Sequence, residues 1–408
     1  MAMQEQLAKW NEMALRAGTA LEPLAIDRIE VAAGALKTAA DYIAGATAGE
    51  SCVLLVADET TWEAAGETLL THLAARGVRA ERRLVPPDHQ GDVVADERSL
   101  VHAMLGVRRE QTRLLVAVGS GTIHDIVRFV AYHMQLPFVS VPTAPSVDGF
   151  NSKGAPILVN GEKITIPASA PIALFADLDV LVQAPAALVA AGFGDMLGKY
   201  TSLFDWRFSH AIAGEPYDEL AARITRDALE ACVAGRSRIA ARDAEGIAVL
   251  MRALIASGVA MLLFGQSHPA SGAEHHLSHY WEMDYLRHGR KQLLHGAKVG
   301  VASVEISAIY HEIVARAQFM DEPERAAGGP ELARIEASWP DIKAWVKDIP
   351  EPHRLQELLR EVGGPSEPSE LGIGQELLAR SLRQAHHVRS RYTLLRAFNT
   401  LVEPHEPL

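Results

Sequence analysis

Residues 114–122, LLVAVGSGT, decide how the rest of the chain is read. Leu114 to Val118 is an apolar run without polar alternation, which marks a strand buried on both faces of a parallel sheet. Gly119-Ser120-Gly121-Thr122 follows at once and leads into a helix that the pattern carries through His133. Such a turn offers backbone N–H groups and the positive end of a helix dipole, a setting that suits a pyrophosphate. The third glycine of a G-x-G-x-x-G fingerprint would fall on His124, so the turn departs from that fingerprint. A tight strand-to-helix turn without a ligand fits the same residues.

Working outward, Cys52 to Asp58 is a second apolar strand, Arg83 to Pro86 a weak one, and Phe138 to Val141 a third. Helices are predicted over Leu36–Ala44, Thr61–Arg76 (closed by Gly77) and Val93–Gly106. Asn160-Gly161, flanked by alternating apolar residues between Ala155 and Pro167, predicts a hairpin, and Ile172 to Asp177 adds a strand. This alternation predicts a Rossmann-like, doubly wound, mostly parallel sheet. Past Pro185 only helices are expected, over Ala187–His210, Tyr217–Ser237, Glu245–Gly265, Gly272–Leu286, Ala297–Arg316 and Gln375–Leu401. Gly328-Gly329-Pro330 and Gly363-Gly364-Pro365 fall in the loops between them. The expected organisation is an α/β domain over 1–184 and an all-helical domain over 185–408.

Composition sets the outer limits. At 408 residues and 48% hydrophobic content the chain can fill two or three cores. A net charge of −12 argues against a nucleic-acid-binding surface. Two isolated cysteines, Cys52 and Cys232, make no disulfide framework, so a cytoplasmic location is expected. The first residues, MAMQEQLAKWNEMALRAG, lack the apolar core of a signal peptide. Leu254 to Phe264 is the longest apolar run, too short for the roughly 20 residues of a bilayer span, and is read as a buried helix.

The chemistry concentrates at Ser267 to Met283, SHPASGAEHHLSHYWEM, which holds His268, His275, His276 and His279. In a helix starting near Ser271, His275 and His279 stack one turn apart and His276 points elsewhere. Two such imidazoles suit a metal site, or a ligand with a proton-handling neighbour; surface helices carry histidines too. Asp195 and His295-Gly296 could complete a site of one carboxylate and two imidazoles. Taken alone, Asp195 reads as a helix N-cap, with Lys199 one turn on as a possible ion-pair partner. Asp58, closing a strand, could accept ribose hydroxyls or simply cap the next helix. After the Phe138 strand, Thr143, Ser146 and Ser152 offer hydroxyls and Asp148 an acceptor for a polyol; a proline-shaped turn explains them equally. His102, His124, His133, His386 and His387 read as packing or surface residues.

Taken together, GSGTIHDI (119–126), PTAPSVDGFNSKGAPI (142–157), GFGDMLGKYTSL (192–203), SGAEHHLSHYWEM (271–283) and LLHGAKVG (293–300) resemble the bacterial sn-glycerol-1-phosphate dehydrogenases. That family shares a superfamily with glycerol dehydrogenases, iron-containing alcohol dehydrogenases and dehydroquinate synthases. The resemblance implies a metal-dependent NAD(P)H oxidoreductase that interconverts dihydroxyacetone phosphate and sn-glycerol 1-phosphate by hydride transfer. It implies Asp195, His275 and His295 as ligands of one divalent ion (Zn, Ni or Fe), with Asp284 or His288 the other nearby choices. By the same resemblance His279 and Asp195 are catalytic, and Asp148, Asp195 and His279 meet the substrate. Gly119, Ser120, Gly121, Thr122 and Ile123 hold the pyrophosphate, Thr143, Ser146 and Ser152 the nicotinamide and ribose, and Asp58 the adenosine ribose. The substrate phosphate is left to Lys153, Lys163, Lys199, Arg287, Arg290 or Lys291. A homodimer is expected. The alternatives are a dehydrogenase for glycerol or another small alcohol, or a non-catalytic nucleotide- or metal-binding homologue.

Overall fold

The structure, a computed structural model, describes residues 3–17, 21, 24–47, 51–316, 319 and 329–402. Met1, Ala2 and Gly18 of the predicted N-terminal segment, and Gly328 of the predicted loop, lie outside the described residues. Eight strands are described: β1 (Arg28–Ala32), β2 (Cys52–Ala57), β3 (Arg79–Leu84), β4 (Thr112–Gly119), β5 (Phe138–Pro142), β6 (Gly154–Val159), β7 (Glu162–Pro167) and β8 (Ala173–Asp177). Six of them form one parallel sheet in the order β1-β8-β5-β4-β2-β3. β2, β5 and β8 are buried at every position, which is why their sequences are almost wholly apolar, with Ser140 and Asp177 the exceptions.

The two edge strands were the hardest to foresee. β3, RAERRL, starts four residues before Arg83 and has no fully buried position; β1, RIEVA, was not expected at all. Edge strands bury only one side, so their sequences lack the apolar run. β6 and β7 pair as a separate antiparallel hairpin, with Asn160 and Gly161 both at positive φ, the two-residue turn that hairpins favour.

Helices cover both faces of the sheet. Leu36, Ile43, Trp62, Leu69 and Leu73 pack on one face, Leu100, Ile123, Ile126 and Val127 on the other. The chain winds from β2 outward to β3, then crosses to place β4 on the other side of β2. Winding direction therefore reverses between β2 and β4, and the residues that follow them are Asp58 and the Ser120 turn. In open α/β sheets, ligands bind at such a reversal.

The chain divides into two compact units, Met1–Val189 with Ala241–Gly265, and Ala190–Ala240 with Gln266–Leu408. The single boundary expected near Ala184 does not describe this division, because the helix Ala244–Phe264 packs with the α/β unit: Ser257 Oγ donates to Asp148 Oδ2 at 2.8 Å, and Asn151 Nδ2 donates to Ile255 O at 3.2 Å. That helix is 21 residues long, not the 11 of its most apolar run, and is long and apolar enough to cross a membrane; 78% of the apolar window is buried inside the protein, as in a core helix.

Among the described residues the second unit contains no strand. Its core gathers Phe204, Phe208, Trp281, Ile306, Tyr310, Trp339 and Phe398. The helix expected over Ala187–His210 is two, Ala186–Leu197 and Lys199–Ala213, meeting at Gly198. The helix expected over Gln375–Leu401 stops at Gln384; a 3-10 turn Ala385–His387, an extended stretch and a short helix Leu394–Ala397 replace it. The extended stretch takes its hydrogen bonds elsewhere: Tyr392 N donates to Glu215 Oε1 at 2.9 Å, and Arg391 Nη1 donates to the carbonyl of Ser271.

Candidate active site

In the second unit two helices, Ala186–Leu197 and His295–Ala315, are drawn together by glycines. A Cβ on Gly194 would collide with the Gly296 carbonyl, and one on Gly296 with the Ala191 carbonyl. Only hydrogen fits at both positions, and Asp195 and His295 are the immediate sequence neighbours of these glycines. Asp195 is no N-cap: it lies in the last turn of its helix, fully buried.

The helix Ala273–Arg287 supplies the third group. Asp195, His275 and His295 each present a donor atom, all within 4.8 Å of one another, and His275 Nε2 lies 3.9 Å from Asp195 Oδ1. The His275 and His295 rings are 5.3 Å apart. One carboxylate and two imidazoles at this spacing fit a divalent ion and leave positions open for substrate oxygen. Asp284 and His288 are not in this group: Asp284 pairs with Arg380 at 2.5 Å, and His288 lies 3.4 Å from Asp284.

The surrounding residues prepare His275. Its Nδ1 lies 2.7 Å from Glu274 Oε1, and a carboxylate only accepts, so Nδ1 carries the proton and Nε2 is left bare toward Asp195. Glu274 also accepts from Gly272 N and Thr201 Oγ1, each at 2.6 Å. Burial alone would raise the Glu274 pKa, but these donors, led by His275, bring it down to about 2. Lys199, fully buried, donates to Asp195 Oδ1 at 2.9 Å and to Ala270 O at 3.1 Å, so it is spent on the carboxylate, as its spacing suggested.

His279 stands beside this group, its ring 6.4 Å from His275 and 6.1 Å from His295. Arg389 Nη2 donates to His279 Nε2 at 3.3 Å. Because Nε2 accepts, the proton sits on Nδ1, 3.6 Å from Glu282 Oε2. Glu282 in turn pairs with Lys298 at 3.0 Å. His276, one residue past His275, is fully buried, and neither ring nitrogen has a hydrogen-bond partner.

In the α/β unit the turn after β4 is built tightly. Cβ atoms on Gly119 and Gly121 would press on Ile123 (2.7 Å) and Val147 (3.0 Å). His124, in place of the third glycine, ties the turn from within: its Nδ1 donates to Ser120 O at 2.9 Å and its Nε2 accepts from Ser140 Oγ at 2.7 Å. Burial lowers its pKa to about 3, so it stays neutral, a packing histidine as read. Thr143 N donates to Gly119 O at 3.1 Å, which sets the 142–149 loop beside this turn. Asp148 accepts from Ser257, while Ser152 Oγ donates to Gly154 O at 3.2 Å. Asp58 does what its alternative reading said: Oδ1 accepts from Thr61 N at 2.8 Å in a capping box.

Several of these contributors carried no recognised signal. Glu274 adjoins His275, and a carboxylate flanking a metal-type histidine was the available hint. Arg128, buried on a helix that reads as amphipathic, holds the carbonyls of Gly149, Phe150 and Gly154 and so fixes the loop that bears Asp148. Arg389 and Arg391 were hidden in a segment read as helix. Of the basic residues proposed for a phosphate, Lys153, Arg287, Arg290 and Lys291 are exposed.

A sequence model of the iron-containing alcohol dehydrogenase family matches residues 30–185. Glycerol-1-phosphate dehydrogenase [NAD(P)+] of Geobacillus stearothermophilus is 48% identical over 86% of this chain and 87% of its own. The enzyme of the same name from Bacillus subtilis (strain 168) is 44% identical over 94% and 93%. In fold, the chain is similar to glycerol dehydrogenase from Schizosaccharomyces pombe, with a TM-score of 0.66 at 18% identity, covering 93% of this chain and 88% of that one. The chain belongs to the glycerol-1-phosphate dehydrogenase family.

Proposed function

We propose that this chain is an oxidoreductase that interconverts dihydroxyacetone phosphate and sn-glycerol 1-phosphate, using NAD or NADP and one divalent ion. The observation that carries the reading is the convergence of Asp195, His275 and His295 within 4.8 Å in a chain of this family. We assign the metal to these three residues and the pyrophosphate to Gly119–Ile123. Thr143, Ser146 and Ser152 are assigned to the nicotinamide and ribose, Asp58 to the adenosine ribose, and Asp148 to the substrate hydroxyls. Zn, Ni and Fe all suit one carboxylate and two imidazoles. The acid at Asp58 favours NAD without forbidding NADP. A cytoplasmic homodimer is part of this reading, and light scattering checks the assembly.

When bound, the ion polarises the carbonyl oxygen and the reduced nicotinamide supplies the hydride. The chain's own residues do the rest. Glu274 holds His275 with Nε2 turned to Asp195. Lys199 fixes Asp195 from behind. His279, the imidazole beside the donor group that is not assigned to the ion, is placed to return a proton to the product oxygen, with Glu282 near its Nδ1.

NADH oxidation by metal-reconstituted protein, with dihydroxyacetone phosphate and dihydroxyacetone side by side, tests the reading. A strong preference for the phosphate ester is expected. Equal or better use of dihydroxyacetone would move the chain to glycerol oxidation, and turnover of neither would remove the substrate assignment.

A further inference from the structure

Resting on the substrate reading above, we infer that Arg389 is the residue that receives the substrate's phosphate. Arg389 is half-buried, and its described contacts are all with neutral groups: Ser267 Oγ at 3.4 Å, Ser271 Oγ at 3.5 Å and His279 Nε2 at 3.3 Å. Burial, and then the neighbouring positive charge of Arg391, press its pKa below the usual guanidinium range, while the negative charge of Glu274 acts the other way without touching it. A guanidinium removed from water is ordinarily held by a carboxylate or a bound anion.

Its neighbour shows the contrast. Arg391 is buried as well, but it lies 3.8 Å from Glu215 and donates to the carbonyls of His268 and Ser271. Arg391 thus faces a carboxylate, while the three described contacts of Arg389 leave two of its five donors over. A second observation points the same way. His276 is fully buried with both ring nitrogens unpartnered, and the charges of Arg389 and Arg391 act on it directly. Buried polar groups are almost always satisfied, so an orphan imidazole beside a guanidinium that touches no carboxylate marks a place where an acceptor belongs.

Position makes that acceptor the ester phosphate. Arg389 touches His279, the imidazole assigned to proton return, and in dihydroxyacetone phosphate the ester is carried on the carbon next to the carbonyl. An anchor for it must therefore adjoin the proton-handling group, as Arg389 does. Arg287, Arg290 and Lys291 are exposed, and Lys199 is spent on Asp195. A planar fork of donors is also the group best shaped for a phosphate.

The test uses metal-loaded full-length enzyme. Wild type, Arg389→Ala, Arg389→Lys and Arg287→Ala are compared for kcat/KM with dihydroxyacetone phosphate and with dihydroxyacetone, and for the inhibition constant of inorganic phosphate. Loss of a charge-assisted bidentate contact predicts a roughly 100-fold fall in kcat/KM for the phosphate ester in Arg389→Ala. A smaller fall with dihydroxyacetone follows, so the ratio of the two collapses, and inorganic phosphate inhibits at least about tenfold more weakly. Arg389→Lys, which keeps the charge but not the fork, falls between, and it carries the test should the alanine variant not fold. A wild type that does not prefer the ester would overturn the substrate reading and this assignment together. A preference that survives in Arg389→Ala and Arg389→Lys, or that collapses in Arg287→Ala instead, would overturn the Arg389 assignment alone.

Discussion

The proposed metal ligand His275 is held in its orientation by the carboxylate beside it. Glu274 fixes the tautomer and ring orientation at 2.7 Å, and outer partners of this kind typically govern metal affinity by about 10–100-fold. Glu274→Gln keeps the shape while weakening the acceptor, so metal affinity should drop by about tenfold or more in a chelator-competition titration. Unchanged affinity would mean that Glu274 only packs. His275→Ala should abolish metal binding outright, whereas His276→Ala should leave metal content intact by elemental analysis; the reverse would put the wrong face of the helix toward the site. At this scale the sequence was legible where residue type announces chemistry, as with the histidines and Asp195. It was illegible where a charge works through a contact remote in sequence. Arg389 meets His279 across 110 positions, and no local pattern encodes that encounter.

Helices position these residues only as well as their crossings allow. The Gly194–Gly296 contact sets backbone against backbone between two helices, beside Asp195 and His295. Gly296→Ala should force the helices apart, lowering stability by roughly 1–3 kcal/mol, the usual cost of overpacking. Because the proposed ligands flank the crossing, metal affinity should fall with it. Thermal melts of metal-free protein alongside metal titration check both, and a destabilised variant with full metal affinity would uncouple the crossing from the site. The apolar runs and Asn160-Gly161 made most of the sheet readable, since full burial and a two-residue turn each leave a local trace. The segment 375–401 misled for the opposite reason. QELLARSLRQAHHVRSRYTLLRAF keeps a helical period throughout, yet Arg391 and Tyr392 gain more from Ser271, His268 and Glu215 than from helical bonds.

Across the whole molecule, the order of elements along the chain differs from their grouping in space. The apolar helix Ala244–Phe264 lies in sequence among helices but belongs with the sheet, because its Gly258 leaves room for Asn151 and its Ser257 bonds Asp148. Sequence periodicity says that a helix is buried, and contacts alone say against what. The helical unit has its own hub at Asp205, which accepts from the Tyr310 hydroxyl at 2.8 Å, from Ala273 N at 2.8 Å and from Leu394 N at 3.1 Å, and so joins four helices. Burial, then the negative charge of Glu274, push its pKa up to about 7 despite these donors, and Arg391 is the positive charge that faces it. A carboxyl raised in the folded state binds a proton there that the unfolded chain releases near pH 4. The stability it contributes is therefore complete below about pH 4 and lost as pH climbs to about 7, at up to roughly 1.4 kcal/mol per pH unit. Asp205→Asn stays neutral throughout. The wild type should thus lose stability relative to this variant as pH rises from 5 to 7.5, read as the difference between their urea midpoints. Parallel profiles would place the proton elsewhere and return Asp205 to an ordinary ionised hub.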